Sequence, residues 1–193
     1  MSGPKEAELV LTLPELRGST LYQAETRTTV GCLTQLVVEA RRYVVIAAPF
    51  MQKGHGISQG PIAIALESAL AAGVDVAILG TREGLATLSI ERLCRRSAAK
   101  LTLWEPSKHV SDPKKLGSHA KFCVVDGEIA YVGSANFTGP GLSKQLEMGV
   151  LVRGSVAAQI GAFWTLGCKS GFFVEMAAFA GSATPDTRRV VRP

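Results

Sequence analysis

The sequence predicts an α/β protein whose parallel sheet is covered by helices on both faces. Short runs of β-branched and apolar residues alternate with segments of helical periodicity through the first half of the chain. Of the 193 residues, 47% are hydrophobic and 19% are charged, which is typical of a globular protein with a substantial core. The 20 glycines suit the tight connections that such a fold needs.

The elements of the first half follow this alternation in order. Residues 1–20 are ambiguous, because LVLTLPELRG fits either a short helix broken at Pro14 or a poorly ordered arm. Apolar residues at helical spacing predict a first helix over residues 25–42. The following elements are a strand at 43–49, a helix that Pro61 opens and Gly73 closes, a strand at 74–80, a helix over 83–98 and a strand at 100–104.

The second half begins with a predicted β-hairpin. Asp126-Gly127 separates two apolar runs and is a strong signal for a two-residue turn. A further strand is predicted at 146–152 and a packing helix over 156–171. Because no repeat or linker is found, residues 1–180 are predicted to form one domain, with 181–193 as a basic and mobile tail.

Charge and cysteine usage limit the function classes. The net charge of +5 favours a polyanionic partner such as nucleic acid or an acidic membrane, although a soluble enzyme with a slightly basic surface would look the same. The four cysteines are widely spaced, so neither a disulfide framework nor a zinc site is predicted and a reducing cytoplasm is expected. No apolar run approaches the ~20 residues of a membrane span, so no stable membrane association is expected.

The segment HAKFCVVDGEIAYVGSANFTG carries the chemistry. His119 and Lys121 are two residues apart, as are Ser134 and Asn136, so each pair would share one face of an extended strand. If the hairpin brings the two pairs together, the cation and the polar groups would suit a phosphodiester, with the imidazole as nucleophile or acid–base group. No carboxylate cluster accompanies them, so neither a metal nor another cofactor is predicted.

The same segment resembles the HKD motif of the phospholipase D superfamily, H-x-K-x4-D-x6-G-S-x-N. The resemblance extends upstream to RRYVVIAAPF and GVDVAIL and downstream to LEMGVLV, and so covers roughly residues 41–152. It implies an α/β/α sandwich with a mixed, largely parallel central sheet. The motif residues at the required spacing are His119, Lys121, Asp126, Gly133, Ser134 and Asn136.

The resemblance also implies a role for each motif residue. His119 would attack phosphorus and form a phosphohistidine, while Lys121 and Asn136 would hold the phosphate oxygens with help from Ser134. Glu147 resembles the family glutamate that accepts a hydrogen bond from the other ring nitrogen of the nucleophile.

Asp126 looks like the motif aspartate, which is expected to orient or support the site rather than to contact phosphate. Only one motif copy is present in the chain, whereas family catalysis uses two histidines. The resemblance therefore implies a C2 homodimer whose active site lies across the dyad, with the second His119 as the general acid.

Five further residues are candidates for substrate binding. Lys53 and His55 lie in the loop after the first predicted buried strand, which would be near the site if the loop leaves the carboxyl end of the sheet. Lys114 and Lys115 could form a phosphate-binding rim, and Phe137 could stack a base. A solvated loop, for the lysines and His55, and core packing, for Phe137, are the alternatives.

These observations favour a metal-independent phosphodiesterase, most readily a nuclease. A phospholipase or phosphatidyl-transfer enzyme with the same chemistry and a non-catalytic nucleic-acid-binding module of a larger assembly are the alternatives. The short LEMGVLVRGSVAAQI stretch also resembles the phospholipase D-like component of DISARM-type anti-phage systems, which would imply other defence proteins as partners. Fold analogy alone does not choose between nucleic acid and lipid.

Overall fold

Nine strands form one mixed sheet in the computed structural model, which describes residues 6–14, 26–108 and 118–176. The strands are β1 (Ala7–Thr12), β2 (Arg27–Thr28), β3 (Tyr43–Ala47), β4 (Asp75–Leu79), β5 (Leu101–Pro106), β6 (Phe122–Val125), β7 (Ile129–Gly133), β8 (Glu147–Arg153) and β9 (Phe173–Glu175). The helices are α1 (Thr29–Glu39), α2 (Pro61–Ala71), α3 (Arg82–Leu85), α4 (Ile90–Cys94), α5 (Gly139–Ser143) and α6 (Ser155–Lys169).

The sheet order is β2-β1-β8-β7-β6-β3-β4-β5-β9. Pairing is parallel within β3-β4-β5, whose strands are joined by helices as in βαβ units, and also between β1 and β2. The other five pairs of neighbours are antiparallel. The predicted mixed α/β class is confirmed, but the expectation of a largely parallel sheet is wrong, because the second half of the chain folds as hairpins and meanders.

Helices cover both faces of the sheet. α1 and α2 pack together on one face, where the larger apolar cluster includes Leu36, Leu66 and Ile46. α6 packs against β6, β7 and β8 on the other face through residues such as Ala157 and Trp164. This arrangement is the predicted α/β/α sandwich.

The hairpin between β6 and β7 turns at Asp126 and Gly127, as predicted. Both residues have positive φ angles, 56° and 72°, which is the backbone of a type I′ turn. The Asp126 carboxylate accepts hydrogen bonds at 2.9 Å from the backbone N–H groups of Arg41, Arg42 and Tyr43. It therefore ties the start of β3 to the far end of the hairpin, across 83 to 85 residues of sequence.

Three parts of the structure differ from the prediction. Within the ambiguous N-terminal segment, residues 7–12 are neither helix nor disordered arm, since they form β1, and every residue of β1 pairs with β8. The predicted helix over 83–98 is two short helices, α3 and α4, separated where the Thr87 hydroxyl bonds back to the Gly84 carbonyl at 2.7 Å. β9 was not predicted at all.

The predicted basic tail at 181–193 lies outside the described residues, and the single-domain assignment stays a prediction. Within the described parts of the chain, no helix is both long enough and apolar enough to cross a membrane.

Candidate active site

Apart from Asp126, the motif residues lie at one end of the three adjacent strands β6, β7 and β8. The N–H of Gly133 bonds to the carbonyl of Lys121 at 3.2 Å, and the N–H of Ser134 bonds to the carbonyl of Met148 at 3.0 Å. This pairing places Lys121 beside the end of β7, and the start of β8 beside Ser134. His119 and Glu147, which are 28 residues apart in sequence, thus lie at the same end of the sheet, and the predicted hairpin contributes to this convergence.

Lys121 and His119 are in direct contact. The ammonium nitrogen lies 3.1 Å from Nδ1 and 3.5 Å from Nε2 of the ring, and it donates to the His119 carbonyl oxygen at 3.1 Å. Because an ammonium can only donate, the ring nitrogen that faces it acts as the acceptor. His119 is otherwise exposed, so a substrate can reach its ring.

Lys121 is a buried cation, since only 7% of the residue is exposed. Burial lowers the pKa of its ammonium from the usual 10.5, and the nearby Glu147 carboxylate acts in the opposite direction. A cation that is poorly solvated and held near one carboxylate gains most from an incoming anion. The arrangement is therefore suited to binding a phosphate at His119.

Glu147 pairs with Ser134 rather than with His119. The Ser134 hydroxyl donates to the Glu147 carboxylate and accepts from the N–H of Met148 at 3.1 Å. The hydrogen bond expected between Glu147 and the His119 ring is not formed in this structure, in which Glu147 accepts from Ser134 and the His119 ring contacts Lys121. Glu147 instead orients Ser134 and supplies the counter-charge for Lys121.

Asn136 follows two residues after Ser134, and its side-chain oxygen is buried without a hydrogen-bond partner among the described residues. A buried amide with an unused polar atom beside the motif strands is a candidate for a ligand contact. This agrees with the role expected for Asn136, which stays a prediction.

The buried ring of Tyr131 packs against the end of the sheet that carries the site. Tyr131 is 1% exposed and lies under the paired glycines Gly133 and Gly149. A Cβ on Gly149 would lie 2.5 Å from Cε2 of the ring, and one on Gly133 would lie 2.6 Å from Cζ, so only glycine fits at either position. Burial also raises the pKa of Tyr131 to about 12.

Asp126 does not belong to the site. It lies at the opposite end of β6 from His119, about 20 Å away along an extended strand. Its carboxylate accepts the three backbone hydrogen bonds described above and is partly covered by Arg42. The structure therefore places Asp126 away from His119, in the orienting or structural position expected of the motif aspartate.

The predicted substrate contacts are mostly elsewhere. Phe137 is 2% exposed and bridges Met51 in the core, so it cannot stack a base. Lys53 and His55 are exposed, but no hydrogen bond, ion pair or ring contact joins them to His119 or Lys121. His55 instead lines a separate cavity of about 300 Å³. Lys114 and Lys115 lie outside the described residues.

Phe50 is a site residue that the sequence reasoning missed. Its ring lies 6.2 Å from the His119 ring, centroid to centroid, at an interplanar angle of 76°. The only available signal was its place directly after the first predicted buried strand, where loops of an α/β sheet approach the site.

An apolar groove of about 450 Å³ begins at His119 and Lys121 and runs between the sheet and α6. Its walls combine strand and helix side chains, namely Ala120, Phe122, Val132, Val156, Ile160 and Phe163. The groove gives the polar site an apolar side, which a second protein surface or an apolar substrate could fill.

The cysteines take no part in this arrangement. All four are free thiols, and Cys123 is fully buried in the core behind Lys121, where burial raises the pKa of its thiol far above the ordinary value. Among the described side chains, no three His, Cys, Asp or Glu residues are grouped to hold a metal ion.

The family model described as "Cardiolipin synthase, PLD-like domain" matches residues 33–162 of the chain. No curated protein matches this chain in sequence. Nuc from Salmonella typhimurium, described as a phospholipase D family member, has a similar structure with a TM-score of 0.58 and 18% identity, covering 88% of this chain and 97% of Nuc. NucT from Helicobacter pylori has a TM-score of 0.59 and 18% identity, covering 86% and 98%.

A third solved structure, phosphatidylserine synthase from Haemophilus influenzae Rd KW20, has a TM-score of 0.58 at 13% identity. It is matched over 88% of this chain but only 39% of its own length. At these identities the three structures establish a shared fold and do not distinguish one substrate from another.

Proposed function

Because the chain belongs to the phospholipase D-like family, we propose that it is a metal-independent phosphodiesterase, and specifically a nuclease, with His119 as its covalent nucleophile. The observation that carries this proposal is the contact between the exposed His119 ring and the buried Lys121 ammonium at 3.1 Å. It combines a nucleophile with a desolvated cation for the phosphate oxygens.

In the first step a ring nitrogen of His119 attacks phosphorus. The N–P bond forms as the P–O bond to the leaving group breaks, and Lys121 and Asn136 neutralise the charge on the non-bridging oxygens. Since the Lys121 ammonium now bonds to phosphate, it releases the ring nitrogen that it contacts in the free protein. The leaving oxygen takes a proton from a general acid.

In the second step water attacks the phosphohistidine. The general acid has become a base, so it removes the proton from water as the N–P bond breaks and His119 is regenerated. The described part of one chain offers no second histidine in contact with His119. We therefore assign the acid–base role to the partner subunit's His119 in a C2 homodimer.

The sheet supplies a surface for such a partner next to the site. Val132, Val150 and Leu9 pair across β7, β8 and β1 and are 39%, 41% and 44% exposed, on the face that α6 covers only in part. This row continues the wall of the apolar groove at Val132. A contiguous exposed apolar row is typical of an interaction surface.

The nucleic-acid preference rests on charge and size. The net charge of +5 favours a polyanionic substrate, and the chain has nearly the full length of Nuc and NucT in the structural superposition.

A lipid phosphodiester is the second candidate. The apolar groove at His119 could accept an acyl chain instead of a partner subunit, and the phosphatidylserine synthase of H. influenzae shares this fold. The two candidates predict different products from the same chemistry.

The test is to incubate the purified protein in EDTA with labelled single- and double-stranded DNA and RNA, and separately with phosphatidylglycerol and cardiolipin vesicles. His119→Ala and Lys121→Met should abolish the activity, while Lys169→Met serves as the matched surface-lysine control. Cleavage of nucleic acid in EDTA that His119→Ala removes would support the nuclease. Cleavage of lipid alone would replace it with the second candidate, and cleavage that requires a divalent metal would contradict the mechanism.

A further inference from the structure

Phe50 is fixed in place while its ring is left half exposed. On one side the Pro49 carbonyl accepts a hydrogen bond from the Thr81 hydroxyl at 2.9 Å, and on the other side Met51 forms a bridge with Phe137 and is 7% exposed. The residue as a whole is 42% exposed. Because both flanking residues are anchored, the exposed position of the aromatic ring is built into the fold.

The exposed ring lies against the nucleophile. The rings of Phe50 and His119 are near perpendicular at 6.2 Å, so a substrate whose phosphorus is in line with His119 has a neighbouring group beside Phe50. A half-exposed aromatic face that leaves apolar area in water gains free energy when a flat group covers it. Nucleobases are the flat groups that adjoin a phosphodiester, and stacking on aromatic residues accepts any base.

We propose that Phe50 is a specificity-determining residue that stacks the nucleobase on one side of the scissile phosphate. Stacking needs a base that has left its neighbours, so the enzyme prefers single-stranded nucleic acid over duplex. This inference rests on the proposed nuclease function and adds the substrate class to it.

The competing role for Phe50 is to hold the His119 ring in position. The two roles differ in what they depend on. A positioning role affects every substrate equally, because the same histidine attacks each of them. A stacking role affects only substrates that have a base at the neighbouring position.

The experiment uses short oligonucleotides in which one linkage is a phosphodiester and the rest are methylphosphonates. One version has all its bases, a second lacks the base 5′ of the phosphodiester, and a third lacks the base 3′ of it. kcat/KM is measured for the wild-type protein, Phe50→Leu and the ring-preserving variants Phe50→Tyr and Phe50→Trp.

We expect the wild-type protein to favour the complete substrate over one of the two abasic versions by roughly 5- to 100-fold. Phe50→Leu should abolish that ratio mainly through KM, while Phe50→Tyr and Phe50→Trp retain it. Equal losses on all three substrates would assign Phe50 to positioning His119 and overturn the proposal, as would an unchanged ratio in Phe50→Leu.

The failure of this inference is distinguishable from failure of the nuclease proposal. Cleavage in EDTA that depends on His119 but shows no base preference overturns the stacking role alone. A wild-type protein that hydrolyses phospholipid and none of the oligonucleotides overturns both.

Discussion

Lys121 contacts His119 twice, through the ring nitrogen Nδ1 and through the backbone carbonyl oxygen, each at 3.1 Å. The lysine is thereby held beside the proposed nucleophile before any substrate arrives. The site is organised in the free protein, and binding only has to exchange one acceptor of the ammonium for another. This preorganisation lowers the cost of charge stabilisation in the transition state.

Replacing Lys121 with methionine should separate activity from stability. Loss of a preorganised cation typically costs about 10²- to 10³-fold in kcat, so Lys121→Met should be nearly inactive. Its stability should equal or exceed that of the wild-type protein, because burial lowers the pKa of Lys121 and so makes the charged form unfavourable in the folded state. The measurements are kcat on a cleavable diester and the free energy of unfolding in urea.

The pH dependence of the free energy of unfolding tests whether the Lys121 charge destabilises the fold. The unfolded chain binds the lysine proton more tightly than the native protein, so the charge costs native stability at neutral pH, and this cost diminishes as pH rises toward the ordinary lysine value. The stability difference between Lys121→Met and wild type should therefore shrink as the pH rises toward 10.5. A variant clearly less stable than wild type at pH 7 would contradict the burial argument, with Lys169→Met as the control for loss of a surface charge.

Replacing Asp126 with asparagine should weaken the fold and leave the chemistry intact. The carboxylate accepts three backbone hydrogen bonds, and the amide of asparagine offers one acceptor oxygen instead of two. We expect a loss of about 1–3 kcal/mol in the free energy of unfolding, with unchanged kcat per folded molecule. The control is Glu128→Gln, which alters an exposed carboxylate in the same turn and should change neither the free energy of unfolding nor kcat. A large fall in kcat for Asp126→Asn would instead assign Asp126 to the catalytic set.

Adding a methyl group at Gly149 should displace the Tyr131 ring. Gly149→Ala places a Cβ 2.5 Å from the ring, so we expect about 1–3 kcal/mol of destabilisation and a lower kcat as the strand ends shift. In a Tyr131→Leu background the same substitution should cost much less, which a double-mutant cycle in urea measures. Gly161→Ala is the control, because its Cβ would make only an ordinary van der Waals contact at 3.4 Å. If Gly149→Ala and Tyr131→Leu had additive effects on stability, the Tyr131 ring would not be what excludes a side chain at position 149.

A charge in the exposed apolar row should prevent dimerisation. Val150→Glu introduces a carboxylate between Val132 and Leu9, and burying it in an interface without a partner is unfavourable. Light scattering should then report a monomer, and kcat per chain should fall because the second His119 is lost. Ile64→Glu, on the exposed side of α2, should remain dimeric and active. A monomeric Val150→Glu protein with full activity would show that one chain suffices.

The parts of the fold that local sequence determines were predictable. The turn at Asp126-Gly127 needs two residues with positive φ, and few dipeptides other than this one supply them, so the hairpin and the convergence of the motif followed. The pairing of β1 with β8 joins residues about 140 positions apart, and no local pattern in LVLTL identifies such a partner. A strand of this kind is specified by its neighbours in the sheet rather than by its own sequence.

The directions of side chains at the site could not be predicted from the sequence either. Phe50 and Phe137 both lie in loops beside the motif, and nothing in either segment indicates that one ring turns into the core while the other stays half exposed. The parallel bridge between Met51 and Phe137 decides this, and it exists only in the folded chain. The substrate roles of Lys114 and Lys115 and the resemblance to an anti-phage component stay predictions.

The strands at the two sides of the described sheet, β2 and β9, contain only two and three residues. So short an edge offers little unpaired backbone to a passing strand, which protects the protein against edge-to-edge aggregation. The proposed dimer therefore uses side chains on the broad face of the sheet and not backbone at its edge. Single substitutions can change such side-chain contacts, so the geometry of the dimer can evolve while the backbone that positions His119 stays the same.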